Sequence, residues 1–456
     1  MNPRFDQRRV VHRWTMAIAC VLGLATAMPG QQADSNPPRS ITLDKAVELA
    51  LRHNHEVRIS TFKIEEDQQA KEVARSAYFP VLSNESTLLH VTDSQFIEIP
   101  AGGLGVVDNI AIPARPLILN QGGQTFETSG TGLVQPLTQL FKIKAGNDVA
   151  RAEVEASRRR TQTVENEVAL KVRQLYYKIL VVQSQQRAIE AKMRAIDHLQ
   201  SERVEQVKYG STLEADLIDT RAQSLQAKQE LLTSELQLSD LRMQFNDVLG
   251  LPIKAEMTLD PNLPPPSSAC AREQCVGVAL GANPEVSEAR AVVEKAAAGV
   301  REAKREYIPD VDAFARYSYQ NDVPFLARNF GSFGLRFSYD IFDGGKKRAM
   351  VRERDAQLAQ AKENLARISD QVEVRVQTAY NKLERTRQMV EVSQELLAAR
   401  QEAQRVSAEG LARGAYLRSQ AEVAVAQAFE AKTLLLQSQL DYAQAHDELL
   451  EAIGQR

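Results

Sequence analysis

The chain of 456 residues carries 56 Lys and Arg against 59 Asp and Glu, a formal net charge of −3 with 25% charged residues. That near balance excludes both a basic nucleic-acid footprint and an acidic tail. Length alone suggests two or three domains, a count that an internal repeat replaces below.

Arg4, Arg8, Arg9 and Arg13 precede an apolar run from Thr15 to Met28 that closes on small residues. This is the order of a secretory signal peptide, residues 1–30, with the mature chain beginning near residues 28–34. About fourteen apolar residues are too few to cross a bilayer as a helix. Cys20 falls inside the same apolar run and is read as part of the discarded segment. Later in the chain no apolar run reaches eighteen residues, so any membrane contact of the mature protein is made by strands.

Thr42-Leu43-Asp44 opens a helical pattern running to about Ala77, which Tyr78-Phe79-Pro80 stops. Two strand-like stretches follow, roughly 81–98 and 123–138, with poor alternation. Between them a turn-rich, apolar segment from Pro100 to Gly123 reads as a long loop on the outer side of a membrane. From Phe141 to Lys208 a helix is expected, about 100 Å long at 1.5 Å per residue. Tyr209-Gly210-Ser211 turns it, and a shorter helix returns from Thr212 to Leu249. The first helix, stacked end to end on the returning one, covers the remaining length.

The pattern then recurs. Ala50 to Val57 matches Ala279 to Val286, and Tyr78-Phe79-Pro80 matches Tyr307-Ile308-Pro309, both at an offset of 229. Beyond the strands the offset is 204, pairing Tyr176 with Tyr380, Gly210 with Gly414 and Gly250 with Gly454. The chain is therefore two copies of one unit, residues 40–252 and 276–456, joined by a linker at 253–275. Each returning helix has a seam stepping by four and three, Leu213 to Val248 in the first copy and Leu417 to Ala452 in the second. That is coiled-coil packing with many small residues.

Gly331 to Ile341 shows the clearest strand. Phe333, Leu335, Phe337, Tyr339 and Ile341 alternate with Ser332, Gly334, Arg336, Ser338 and Asp340, giving one face for lipid and one for water. About ten residues is the length of a tilted membrane-spanning strand. After Asp343-Gly344-Gly345 the pattern becomes a long charged helix.

Four such strands cannot close a barrel, and an open edge in lipid leaves backbone groups unsatisfied, so the chain must oligomerise. At this point the chain resembles the outer membrane efflux protein family, the TolC-like exit ducts. The resemblance rests on Thr42 to Arg58 and its degenerate copy near ALGANPEV, on Val134 to Gly146, on Tyr339 to Ala349, and on the two Gly-tipped hairpins. It implies a mainly helical fold with four transmembrane strands per chain. In the homotrimer these form a twelve-stranded β-barrel in outer-membrane lipid, standing on a twelve-helix periplasmic α-barrel. It also implies a passive duct for tripartite efflux or type I secretion, with a periplasmic adaptor (membrane fusion) protein and an inner membrane pump as partners and no cofactor. The gate is expected at the tips, around Tyr209, Gly210, Arg413 and Gly414. Asp216 falls where family members often hold an acidic residue. Where some members carry a pair of aspartates this chain has Gln420 and Val423, which puts an acidic ring in doubt; Glu214, Asp219 and Glu422 are alternative charges, or solvated helix faces.

Nothing points to an enzyme. His53 and His55 diverge on a helix and make a poor metal pair, and no phosphate loop, HExxH or nucleophile elbow occurs. Cys270 and Cys275, in the linker, are expected to form a small disulfide in an oxidising compartment. The competing hypothesis is a secreted or periplasmic coiled-coil scaffold that never enters a membrane.

Overall fold

The computed structural model describes residues 40–92, 96–120, 124–262, 270–321 and 327–455. The expected leader and the linker residues 263–269 lie outside these. The elements run β1 Ser40–Ile41, α1 Leu43–His53, α2 His55–Ser76, β2 Val81–His90, β3 Phe96–Ile99, β4 Val106–Val107, β5 Ile110–Ala111, β6 Leu117–Asn120, β7 Thr125–Pro136, α3 Leu140–Lys208 and α4 Glu214–Val248. The second copy follows with β8 Thr258–Leu259, α5 Arg272–Ala282, α6 Pro284–Arg305, β9 Asp310–Asn321, β10 Asn329–Ser338, α7 Lys346–Ala412 and α8 Arg418–Ala452.

Two sequence expectations in the first copy are corrected by these elements. The helix expected from Thr42 to Ala77 is broken at Asn54, whose backbone is extended (φ −60°, ψ 134°), so His53 and His55 sit on different helices. The segment between β2 and β7 is not a bare loop. It folds as a stacked hairpin in which β3 pairs with β6 and β4 with β5.

The break at Asn54 has a clear cause. Its side chain accepts hydrogen bonds from the Glu56 and Val57 N–H groups, capping α2, and donates to the Val248 carbonyl at the end of α4, at 3.0 Å. Asn283 repeats this between α6 and α8, accepting from Glu285 N–H and donating to the Ala452 carbonyl at 3.0 Å. One asparagine thus caps one helix and terminates another, which is how the shorter helices stack end to end. Gly250 (φ +68°) and Gly454 (φ +80°) complete each junction; a Cβ at either would lie 2.6 or 2.7 Å from the backbone of His53 or Asn283.

The helices form a curtain. Towards the tips the order is α4, α3, α8, α7, and towards the sheet it is α2, α3, α6, α7. Two related cores lie at the middle. In the first copy Tyr176, Ile179, Val172 and Phe245 bury against α1, with the Tyr176 hydroxyl donating to the Asp260 carbonyl at 2.7 Å. In the second copy Val372, Val376, Ala445 and Leu449 bury against α5, where the Arg272 guanidinium lies over the Tyr380 ring. Cys270 and Cys275 form a disulfide (Cα–Cα 5.6 Å) that ties the linker to α5. From Ala421 to Ala452 and from Leu217 to Val248 every seam residue is buried or half-buried, and only Leu213 and Leu417 at the tips are exposed.

The four long strands make one antiparallel sheet in the order β10-β9-β7-β2. The first and last strands have one partner each among the described residues. β10 ends at Ser338, so Tyr339 and Ile341, read from sequence as strand residues, lie on the connector to α7. Among the described residues no helix is long and apolar enough to cross a membrane.

Candidate functional site

Two regions are candidates: the sheet and the helix tips. In the sheet, register places Phe333, Leu335 and Phe337 beside Ala315, Ala313 and Val311, with Leu133 next across, on one face. Phe333 is 89% exposed, Leu335 70% and Phe337 69%. The opposite face carries Arg336, Arg316, Asp312 and Glu85. Arg336 lies over the Phe314 ring, and Arg316 crosses Gly130, where a Cβ would meet its guanidinium. The alternation of β2 and β7 is poor for a local reason. Their positions on the apolar face include Asn84, Ser86, Ser129 and Thr131, which bond to one another, Asn84 Nδ2 donating to Thr131 Oγ1 at 2.8 Å and Ser86 meeting Ser129 at 2.9 Å. Polar groups so satisfied are less costly on an apolar face.

At the tips Gly210 (φ +70°) and Gly414 (φ +76°) close the turns, with Ser211 N–H donating to the Gln206 carbonyl and Ala415 N–H to the Gly410 carbonyl, both at 2.8 Å. Asp216 accepts from Thr212 Oγ1 at 2.7 Å and from Leu213 N–H at 3.3 Å, the cap that starts α4. These bonds hold its carboxyl below the ordinary range. Gln420 plays the same part at Leu417 N–H, at 3.0 Å. Tyr209 is exposed with Lys208 over its ring, Arg413 pairs with Glu409 of its own helix at 3.6 Å, and Asp219 accepts from Gln223. Within one chain the contacts of these residues stay in their own hairpins.

Contacts between hairpins come instead, Glu422 apart, from residues that sequence reasoning missed. Glu202 of α3 accepts from Ser419 N–H at 2.9 Å and from Ser419 Oγ, at the start of α8. His198 stands 4.0 Å from Glu422, which places Glu422 at this junction. Further along, Ala191 packs on Ala426, Ser184 meets Thr433 at 2.9 Å, and the Tyr177 hydroxyl donates to Asp447 at 2.8 Å. Burial pushes the Asp447 carboxyl up, opposed by Arg173 at 3.4 Å. Along α8 these partners fall at multiples of seven from Ser419, at Ala426, Thr433 and Asp447. A stripe so poor in large apolar residues is easily taken for a solvated face, and only its period marks it.

Among the described residues no group of His, Cys, Asp and Glu is arranged to hold a metal. The model of the family described as outer membrane efflux protein matches residues 46–251 and 276–455. The chain belongs to the outer membrane efflux protein family. Its fold is shared with the Campylobacter jejuni CmeC outer membrane channel, at a TM-score of 0.74 and 14% identity over 90% of this chain and 85% of that one. The outer membrane protein VceC of Vibrio cholerae gives 0.69 and 15% over 91% and 96%. The open state of the Neisseria gonorrhoeae MtrE channel gives 0.69 and 15% over 100% and 98%. No curated protein sequence matches this chain. As a member of the outer membrane efflux family, the protein is an outer membrane channel with a long periplasmic helical portion, and not an enzyme. The scaffold hypothesis is not supported.

Proposed function

We propose that the protein is a homotrimeric exit duct in which three four-stranded sheets close a twelve-stranded barrel above a twelve-helix α-barrel. It conducts substrates passively from a periplasmic adaptor and an inner membrane pump, in tripartite efflux or type I secretion. The adaptor docks at the helical tips, and tip opening, with Tyr209, Asp216 and Arg413 in the surrounding turns, is the gate.

The observation that carries this reading is the pair of unsatisfied edges. β2 and β10 each leave a row of backbone groups open, which lipid does not tolerate. The helices are unfinished in the same way. On α4, Ile218, Leu225, Leu232 and Leu236 are exposed, and on α7 so are Met389 and Val392. The duplication says how they meet. Within the chain α8 packs on α3 through Thr433 and Ser184; shifting each by 204 gives Gln229 of α4 and Gln388 of α7, both exposed, on two helices that do not pack on each other among the described residues. The missing partner is the neighbouring copy. A Gln229→Cys, Gln388→Cys double variant is expected to give a covalent trimer on a non-reducing gel. Monomer alone, with both thiols titratable, would overturn the arrangement.

A further inference from the structure

Lys346, Lys347 and Arg348 form the first turn of α7, and Arg352 follows on the second. No acidic residue stands in that turn. Helix N-termini carry partial positive charge and favour carboxylates, so three cations there work against the helix itself. Asp343, just before the helix, is occupied as the cap, accepting from Gly345 and Lys347 N–H groups at 2.9 Å. Asp340, Glu353 and Asp355 flank the cluster, and among the described residues none lies within 4.0 Å of the four cationic groups.

The other copy shows that this is not a general need of the fold. Lys142, the counterpart of Lys346, is half-buried and pairs with Asp310 at 2.7 Å and Glu306 at 3.5 Å. Displaced by 229, those two acids correspond to Ala77 and Val81, the residues that the neighbouring copy would bring to Lys346. Trimer closure therefore does not bring Lys346 the two carboxylates that Lys142 has. Immediately before the cluster Ile341 is 94% and Phe342 90% exposed, and the Lys347 ammonium lies over the Tyr339 ring at 4.8 Å. Apolar and aromatic groups followed by cations are the sequence of environments met on leaving a bilayer.

We propose that Lys346, Lys347, Arg348 and Arg352 bind phosphate groups of anionic phospholipid in the leaflet nearest the helices, with Ile341 and Phe342 in its acyl boundary. The site rests on the barrel reading above. It fixes the depth of the sheet in the membrane and supplies from lipid the counter-charge that Glu306 and Asp310 supply in the first copy.

The test is fluorescence quenching of a Phe342→Trp reporter in the processed protein, which then carries no other tryptophan, because the one native tryptophan, Trp14, lies in the expected leader. The processed protein is reconstituted in phosphatidylcholine–phosphatidylglycerol vesicles in which one lipid or the other is brominated. The expected result is a preference for phosphatidylglycerol of about threefold or more at low salt, weakened by high salt and lost when all four cations become Gln. Should the four-site variant fail to assemble, Lys346→Gln with Arg348→Gln is expected to lose about half of that preference. Equal quenching by both lipids overturns the site and leaves the barrel standing. No quenching by either lipid overturns both. A preference abolished by inorganic phosphate but not by chloride at equal ionic strength assigns the cluster to free phosphate, and overturns the lipid assignment.

Discussion

The Glu202–Ser419 link is the contact within one chain that ties the hairpins together nearest their tips, so Glu202→Ala should loosen the gate. Hydrogen bonds to a charged group contribute about 1.5–3 kcal/mol each when buried. Ser419 is 3% exposed, while Glu202 is half-exposed and partly screened, so the two bonds together are taken at the low end. That gives about 2 kcal/mol per chain. If the three chains of the proposed trimer open together, the shift is about 6 kcal/mol, on the order of 10⁴ in the ratio of open to closed tips. Single-channel recording in planar bilayers should show more frequent and longer openings. Glu202→Gln keeps an acceptor for Ser419 N–H and should fall between. Unchanged conductance and opening frequency in a Glu202→Ala protein that assembles and melts as wild type would refute the link's role.

Further outcomes are expected elsewhere. Asn54→Ala removes a cap and leaves the Val248 carbonyl without its donor, and should cost about 2 kcal/mol in thermal or denaturant unfolding, as should Asn283→Ala. The two junctions are far apart, so the double variant should lose close to the sum. Leu335→Arg, on the apolar face of β10, should cost roughly 2–4 kcal/mol per chain near the bilayer midplane and lower the yield of assembled protein in outer membranes. Normal yield would remove that face from lipid. Burial raises the Asp447 carboxyl above its ordinary value. The folded state then binds the proton more tightly than the unfolded one. Its contribution to stability is full below the unfolded value near 3.8 and is lost as pH rises through the folded value. Asp447→Asn should flatten the wild-type fall in melting temperature across that window, and an unaltered slope would count against it.

Most of the architecture is legible in residues that repeat. The 229 and 204 offsets, the alternation from Phe333 to Phe337 and the glycines at 210 and 414 mark copies, sheet and tips because backbone geometry demands those residues there. What is not legible is polar. Asn54 breaks a helix by bonding a carbonyl nearly two hundred residues away, a partner that no local pattern names. β2 and β7 alternate poorly because Asn84, Ser86, Ser129 and Thr131 satisfy one another across strands. At the tips, Asp216 stands out in sequence and is a local cap within the chain, whereas Glu202 looks like any charged helix residue until α8 is placed beside it. Tyr339 and Ile341 continue a two-residue rhythm past the end of β10, since periodicity does not register where pairing stops.

The most direct measurement on the duct is the native mass of the processed protein extracted from outer membranes, taken with and without detergent. A trimer that requires detergent is expected, because three sheets closed edge to edge present one apolar belt. A water-soluble species of any size would contradict the barrel, whatever the helices do.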